Sequence, residues 1–129
     1  MNLELMNQSQ LKCKERAQKN HLNKLKEKAF GVNERLQLIR VSNRKLNCLR
    51  WHNNETKEHI LKKLDICRWL KEINHDFITE AIFLNGTRAD VVDLTDSIVY
   101  EILVSEDESK FEEKIERYPE IFTIIKITK

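Results

Sequence analysis

Three acids interrupt otherwise apolar stretches: Glu80 between Thr79 and Ala81, Asp90 between Ala89 and Val91, and Glu101 between Tyr100 and Ile102. Strands of a small α/β core keep charge out of their buried stretches, so each acid asks for a reason. The ordinary reason is a solvated sheet face or a pair with Arg88. The chemical reason is convergence. If the three stretches pair as neighbouring strands, their carboxylates approach one another, and they stay ionised together only when a cation compensates. Oxygen donors in that number suit a hard divalent ion, Mg²⁺ or Mn²⁺. Any one acid fits the ordinary reason; three on successive strands favour the chemical one.

Upstream, Lys62 and Lys63 lie three and four residues after His59, so one of them can share its face of a helix. His59 could touch phosphate, act as a general base or belong to a capping turn. Ser105 follows the third stretch and could touch phosphate or cap the next helix. Lys110 and Lys114 are further cations downstream. Cys13, His21, Cys48 and His52 together hold four groups that tetrahedral zinc accepts. Their spacings, Cys-x7-His and Cys-x3-His with 26 residues between, match no standard finger and argue against zinc.

The elements that must position these groups can be read from periodicity. Residues 8–29 form a helix with Leu11, Leu22, Leu25 and Ala29 on one side and Gly31 as its stop. Residues 33–50 are ambiguous: Asn33 could cap a short helix through Leu36 and Ile39, or LQLIRV and KLNCLRW could be two strands. From residue 55 the pattern sharpens. Asn54 or Thr56 caps a helix to about Asn74 whose buried stripe is Ile60, Leu64, Cys67 and Leu70, widened by Leu61, Trp69 and Ile73. Strands follow over 77–84, 88–94 and 98–104, with Asn85-Gly86 as the hairpin turn between the first two. A helix from about Asp107 to Tyr118 ends at Pro119, and 120–128 closes as a strand. The order is α-β-β-β-α-β, and its last strand, after the helix, can run parallel to the third.

Charge divides the chain in two. Charged residues make up 34% of its 129 residues, and the formal net charge is only +2. Residues 1–54 carry 12 basic and four acidic side chains, or +8, against −6 for residues 55–129. Such asymmetry points to nucleic acid or a membrane surface. The basic segment would contact phosphates through Lys12, Lys14, Arg16, Lys19, Lys24, Lys26 and Lys28, with weakening binding as salt rises. No run of about 18 apolar residues exists to span a bilayer, so a membrane is not expected as a partner. The N-terminal residues lack a secretory pattern, and three dispersed cysteines argue against a disulfide framework. The expected compartment is the cytoplasm.

The helix with His59 and Lys62 or Lys63, then Glu80, then Arg88-Ala89-Asp90, then Glu101 with Ser105 behind it, then a helix and closing strand, resembles the PD-(D/E)xK nuclease superfamily. It looks most like that superfamily's competence-protein branch and similar archaeal, other prokaryotic or viral nucleases. The resemblance covers about residues 55–129. It implies a restriction-endonuclease-like αβββαβ core carrying a basic, mainly helical extension over 1–54. It implies that Asp90 and Glu101 hold Mg²⁺ or Mn²⁺, with the Ile102 carbonyl as a further ligand and Glu80 binding directly or through water. The reaction would be hydrolysis of a DNA phosphodiester by metal-activated water, in a prokaryotic cell or a virus-infected host cell. Arg88 and Ser105 would contact the nucleic acid, and a homodimer stays open because many members dimerise.

One departure matters. The simplest form of the pattern has a Lys two residues beyond the Glu, where this chain has Leu103. Members supply that cation from a neighbouring helix, which makes Lys62 or Lys63 the expected substitute and His59 its companion. Two alternatives remain: a nucleic-acid-binding module on a decayed nuclease core, and an interaction protein whose basic helix meets an acidic partner.

Overall fold

The computed structural model describes residues 8–103 and 108–128. In order they form α1 (Gln8–Leu36), a 3₁₀ turn (Val41–Asn43), α2 (Lys57–Glu72), β1 (Phe77–Ile82), β2 (Arg88–Asp93), β3 (Ile98–Leu103), α3 (Glu108–Ile115) and β4 (Thr123–Thr128). The fold is α+β, built on one mixed four-stranded sheet in the order β1-β2-β3-β4. β1, β2 and β3 pair antiparallel, and β3 and β4 pair parallel. A parallel pair needs a long crossover, and α3 lies within it. The α-β-β-β-α-β order expected from residue 55 onward is found.

Each sheet face covers its own core. Ile78, Ala81, Val92, Leu94 and Val99 pack with Val32 and Ile39 and with Tyr118 and Phe122. Phe77, Val91 and Tyr100 pack with Cys67 and Leu70 of α2. Val99 and Tyr100 thus go to different clusters, as the period of two in a strand requires. The α2 stripe is narrower than expected. Cys67 and Leu70 are buried, but Leu61, Trp69 and Ile73 are 48, 49 and 37% exposed. Trp69 keeps one edge-on contact with Tyr100, centroids 6.4 Å apart.

α1 runs past its expected stop. Gly31 lies within it, and the Arg35 guanidinium folds back over Gly31, so that a Cβ there would meet it at 3.1 Å. That guanidinium donates to the carbonyls of Leu94 and Thr95. Gly31 therefore makes room for a clamp between α1 and the β2–β3 turn. The ambiguous residues 33–50 become the end of α1, the 3₁₀ turn and irregular chain, with one isolated bridge from Ile39 to Phe83. The described part of α3 and β4 are shorter than expected, because a turn from Pro119 to Phe122 separates them. No described helix is long and apolar enough to cross a membrane.

Candidate metal centre

The centre begins where β1 and β2 lose their regular alternation. Thr79 pairs with Val91 and Ala81 with Ala89, which sets Glu80 opposite Asp90 without making them ladder partners. Ile78 and Ala81, three residues apart, join one core cluster, as do Ala89 and Val92. In an unbroken strand such residues face opposite sides. Both strands therefore slip one step at the acid. At Glu80 the backbone turns through φ 51°, in the left-handed region, which costs roughly 1–2 kcal/mol for a residue with a side chain. The slip keeps Glu80 out of the apolar cluster that alternation would assign it, and turns it to Lys63. On the other side, pairing of β2 with β3 stops at Val91–Tyr100. Asp90 Oδ2 instead accepts the Ile102 N–H at 2.8 Å.

α2 supplies the facing groups. Thr56 caps it by accepting the His59 N–H, and Glu55, His59 and Lys63 follow at steps of four, along one face. Lys63 is fully buried. Its three donors meet three acceptors: the Arg50 carbonyl at 3.0 Å, Glu55 Oε1 at 2.5 Å and Glu80 Oε1. Burial works against its charge, but the two carboxylates outweigh burial and raise its pKa. An ammonium so occupied positions Glu55 and Glu80 and has no proton left for a substrate. Lys62, the other expected lysine, is half-buried and lies outside the cavity described next.

His52, Asn54, Glu55, Thr56, His59, Glu80, Arg88, Ala89, Asp90, Ile102 and Lys114 surround a cavity of about 350 Å³. His59 Nε2 is 3.4 Å from Asp90 Oδ1, and its Nδ1 is 2.7 Å from Glu55 Oε1. The Asp90 contact raises the His59 pKa against the effect of burial. Burial acts to raise the Asp90 carboxyl, but His59 and the Ile102 N–H outweigh it and hold that carboxyl below its ordinary value. Two atoms in this ring lack hydrogen-bond partners although buried: Glu55 Oε2 and His59 Nδ1, whose approach to Glu55 is not aligned as a hydrogen bond. Buried polar atoms are rarely left so, and both orphans are lone-pair donors to a cation when the imidazole is neutral.

Donor atoms of Glu55, His59 and Asp90 lie within 4.8 Å of one another, as do those of His52, Glu55 and Glu80. The second group already encloses the Lys63 ammonium. The first is the better fit for a metal, since it holds both orphaned atoms. A set of two carboxylates and an imidazole suits Mn²⁺ better than Mg²⁺, which prefers oxygen throughout.

Glu101, expected beside Asp90 as a ligand, is 1% exposed and does not line the cavity. The Tyr118 hydroxyl donates to its Oε1, and Lys114 Nζ lies 3.2 Å from its Oε2. Burial, followed by the Asp90 charge, pushes the Glu101 carboxyl up to about 7. The structure thus joins Asp90 to Glu80, His59 and Lys63, and seats Glu101 behind them with Lys114. Ile102 enters through its N–H. Leu103, at the position of the superfamily's Lys, is buried. Lys114, half-buried on α3, is the lysine that reaches the cavity.

Of the expected phosphate contacts, Arg88, Arg16, Lys19, Lys24 and Lys26 are exposed, and Lys28 bonds the Asn74 carbonyl. The side chains of Lys12 and Lys14, and Ser105 as a whole, lie outside the described residues, as does the Cys13 side chain. His21 and Cys48 join no group of metal donors among the described residues, and His52 gathers with Glu55 and Glu80 instead. Sequence reasoning missed Glu55 and Tyr118. The i, i+4, i+8 run Glu55-His59-Lys63 was a usable signal for the first; nothing local marks the second. Comparison with protein-family models, with curated proteins and with solved structures found no match.

Proposed function

We propose that the chain is a divalent-metal-dependent nuclease that hydrolyses phosphodiester bonds in DNA. The observation that carries this reading is the ring of Glu55, His59 and Asp90 at the broken rung of the sheet, with two buried atoms that want a cation and with Arg88 and Lys114 in the same cavity. Glu55 and Asp90 would hold the ion with His59. A bound Mn²⁺ or Mg²⁺ supplies charge neutralisation at the phosphate and acidifies a water. Lys63 holds Glu55 and Glu80 in place. Arg88 and Lys114 would orient the scissile phosphate, in the part that a motif lysine plays in the superfamily this chain resembles. Glu80, partly exposed in the same wall, would accept the proton of the attacking water. The basic, exposed face of α1 would hold the DNA backbone without reading sequence.

The second reading is a binding module without catalysis. It is favoured by the buried Leu103 and by the internal partners of Glu101. Incubating supercoiled plasmid and branched DNA with Mn²⁺ or Mg²⁺ separates the two. The nuclease reading expects nicking that stops in Asp90→Ala and in Glu55→Gln. DNA retention with no cutting under either metal supports the second reading and contradicts the first.

A further inference from the structure

A second cavity of about 280 Å³ lies between the β1–β2 turn and α3, and four of its lining side chains are cationic: Arg88, Lys110, Lys114 and Arg117, with Glu113 the one acid. The cations come from β2, from α3 and from the chain just beyond α3. Lys110, Lys114 and Arg117 follow at four and three residues, so they share one side of the helical segment, and Arg88 faces them across the cavity. Among the described residues, Arg88, Lys110 and Arg117 have no carboxylate within ion-pair distance, and Lys114 alone is engaged, with Glu101. Gathering like charges in a concavity costs free energy, and among the described residues only Glu113 in the lining and Glu101 at Lys114 are placed to offset it. The wall is also fixed: Asn85 Nδ2 donates to the Arg117 carbonyl at 2.6 Å, and Tyr118 Oη, whose one proton is shared between Glu101 and the Arg88 carbonyl, lies 2.8 Å from the latter, tying the turn and β2 to the end of α3.

We propose that this cavity is a phosphate subsite. Arg88 supplies a planar fork that matches a phosphate face, and the lysines act as point charges. Arg88 and Lys114 also line the candidate metal centre. A phosphate seated here is therefore next to one seated there, as neighbouring phosphates of one strand are. The subsite rests on the nuclease reading for its substrate class, a polynucleotide strand extending past the cut on the α3 side, but not for its affinity for phosphate.

The test has two arms. In the first, inorganic phosphate is titrated into the intact chain and followed by amide NMR. Saturating shifts are expected at Gly86, Thr87 and Lys110, retained in Asp90→Asn and lost in a folded Lys110→Ala/Arg117→Ala double variant. No saturable shift, or one unchanged in the double variant, overturns the subsite. In the second, DNA oligonucleotides carry one uncharged methylphosphonate at each position in turn. Cutting is expected to fall roughly tenfold, the effect of removing one charge-assisted hydrogen bond, only when the neutral linkage is adjacent to the cut on one side, and the double variant is expected to be indifferent to it. Uniform sensitivity at all linkages overturns the strand assignment. Phosphate shifts without any such position would mean a free or terminal phosphate is the ligand, and this too overturns it. Saturable, variant-sensitive shifts in a chain that cuts nothing would sustain the subsite while sinking the nuclease reading.

Discussion

Two clusters of His and acid lie toward opposite ends of β2, and they are built from the same side chains. At one end His75 Nδ1 meets Asp93 Oδ2 at 2.8 Å, with Asp96 3.8 Å from the ring. At the other, His59 faces Asp90 with Glu55 behind it. Both bring three donor atoms within 4.8 Å. The difference lies in what the carboxylates already do. Asp93 Oδ1 accepts the N–H groups of Thr95 and Asp96, and its Oδ2 takes His75. Its work is to close the β2–β3 turn, where the ladder is intact through Asp93–Ile98. At Asp90 the ladder is broken, Glu80 carries a left-handed backbone, and Glu55 Oε2 and His59 Nδ1 are unpartnered. Donor proximity alone does not separate a turn from a binding site. Left-handed backbone does not either, since Asn74 and Ser97 carry it beside the turn cluster; unsatisfied buried donors do.

The sharpest contrast is in stability. Removing Lys63 strands two carboxylates around a buried gap, so Lys63→Met should lower the unfolding free energy by about 3–5 kcal/mol, measured by urea denaturation. A loss below 1 kcal/mol would mean Glu55 and Glu80 are not held by that ammonium. Next in size is the loss of function without loss of fold. Asp90→Asn and Glu55→Gln should reduce cutting by more than about 100-fold, beyond what an outer-shell partner costs, with the fold retained at some cost in stability, because Glu55 gives up its charge beside Lys63 and Asp90 the carboxylate that His59 and the Ile102 N–H favour. Asp93→Asn should show the mirror image: cutting within about twofold of the parent, and a stability loss of about 1–2 kcal/mol from its unmade turn hydrogen bonds.

A pH series sharpens the same comparison. The Glu101 carboxyl titrates at about 7 in the folded protein against an ordinary 4.5. The folded state therefore binds a proton that the unfolded chain has released. Its stabilising effect is complete below about 4.5 and is lost as pH rises to about 7. In metal-free protein stability should fall by up to about 3 kcal/mol over that window. His59, with its raised value, adds to the fall above 6.5. Asp90→Asn takes away the neighbouring charge and should flatten the decline, whereas Asp93→Asn should leave it in place. The smallest effect belongs to α1: Lys24→Ala/Lys26→Ala should weaken DNA binding alike for all sequences and lower the salt slope by about 1 for each phosphate no longer neutralised.

Much of the scaffold was legible. The Asn85-Gly86 turn, the Thr56 cap and the three acid-bearing strands follow from residue type and period, because each is decided by neighbours in sequence. The helix through Gly31 was not, since its continuation depends on Arg35 packing over the glycine and reaching a turn about 60 residues away. At the centre, the convergence of Glu80 with Asp90 could be read from hairpin register. The slip that turns both strands could not, because φ at Glu80 is imposed by burial on either side of it. Lys63 looked like a surface candidate for chemistry. Its burial is set by the loop before α2, whose Arg50 carbonyl and Glu55 carboxylate close over it. Tyr118 escaped notice because its hydroxyl reaches Glu101 only through the crossover.

Calorimetric titration of Mn²⁺ into the metal-free chain decides most directly between the two ends of β2. One ion per chain should bind, binding should be lost in Asp90→Asn and in Glu55→Gln, and Asp93→Asn should bind as the parent does. Unchanged binding in Asp90→Asn, or loss in Asp93→Asn, would contradict the assignment of the metal centre to the broken rung.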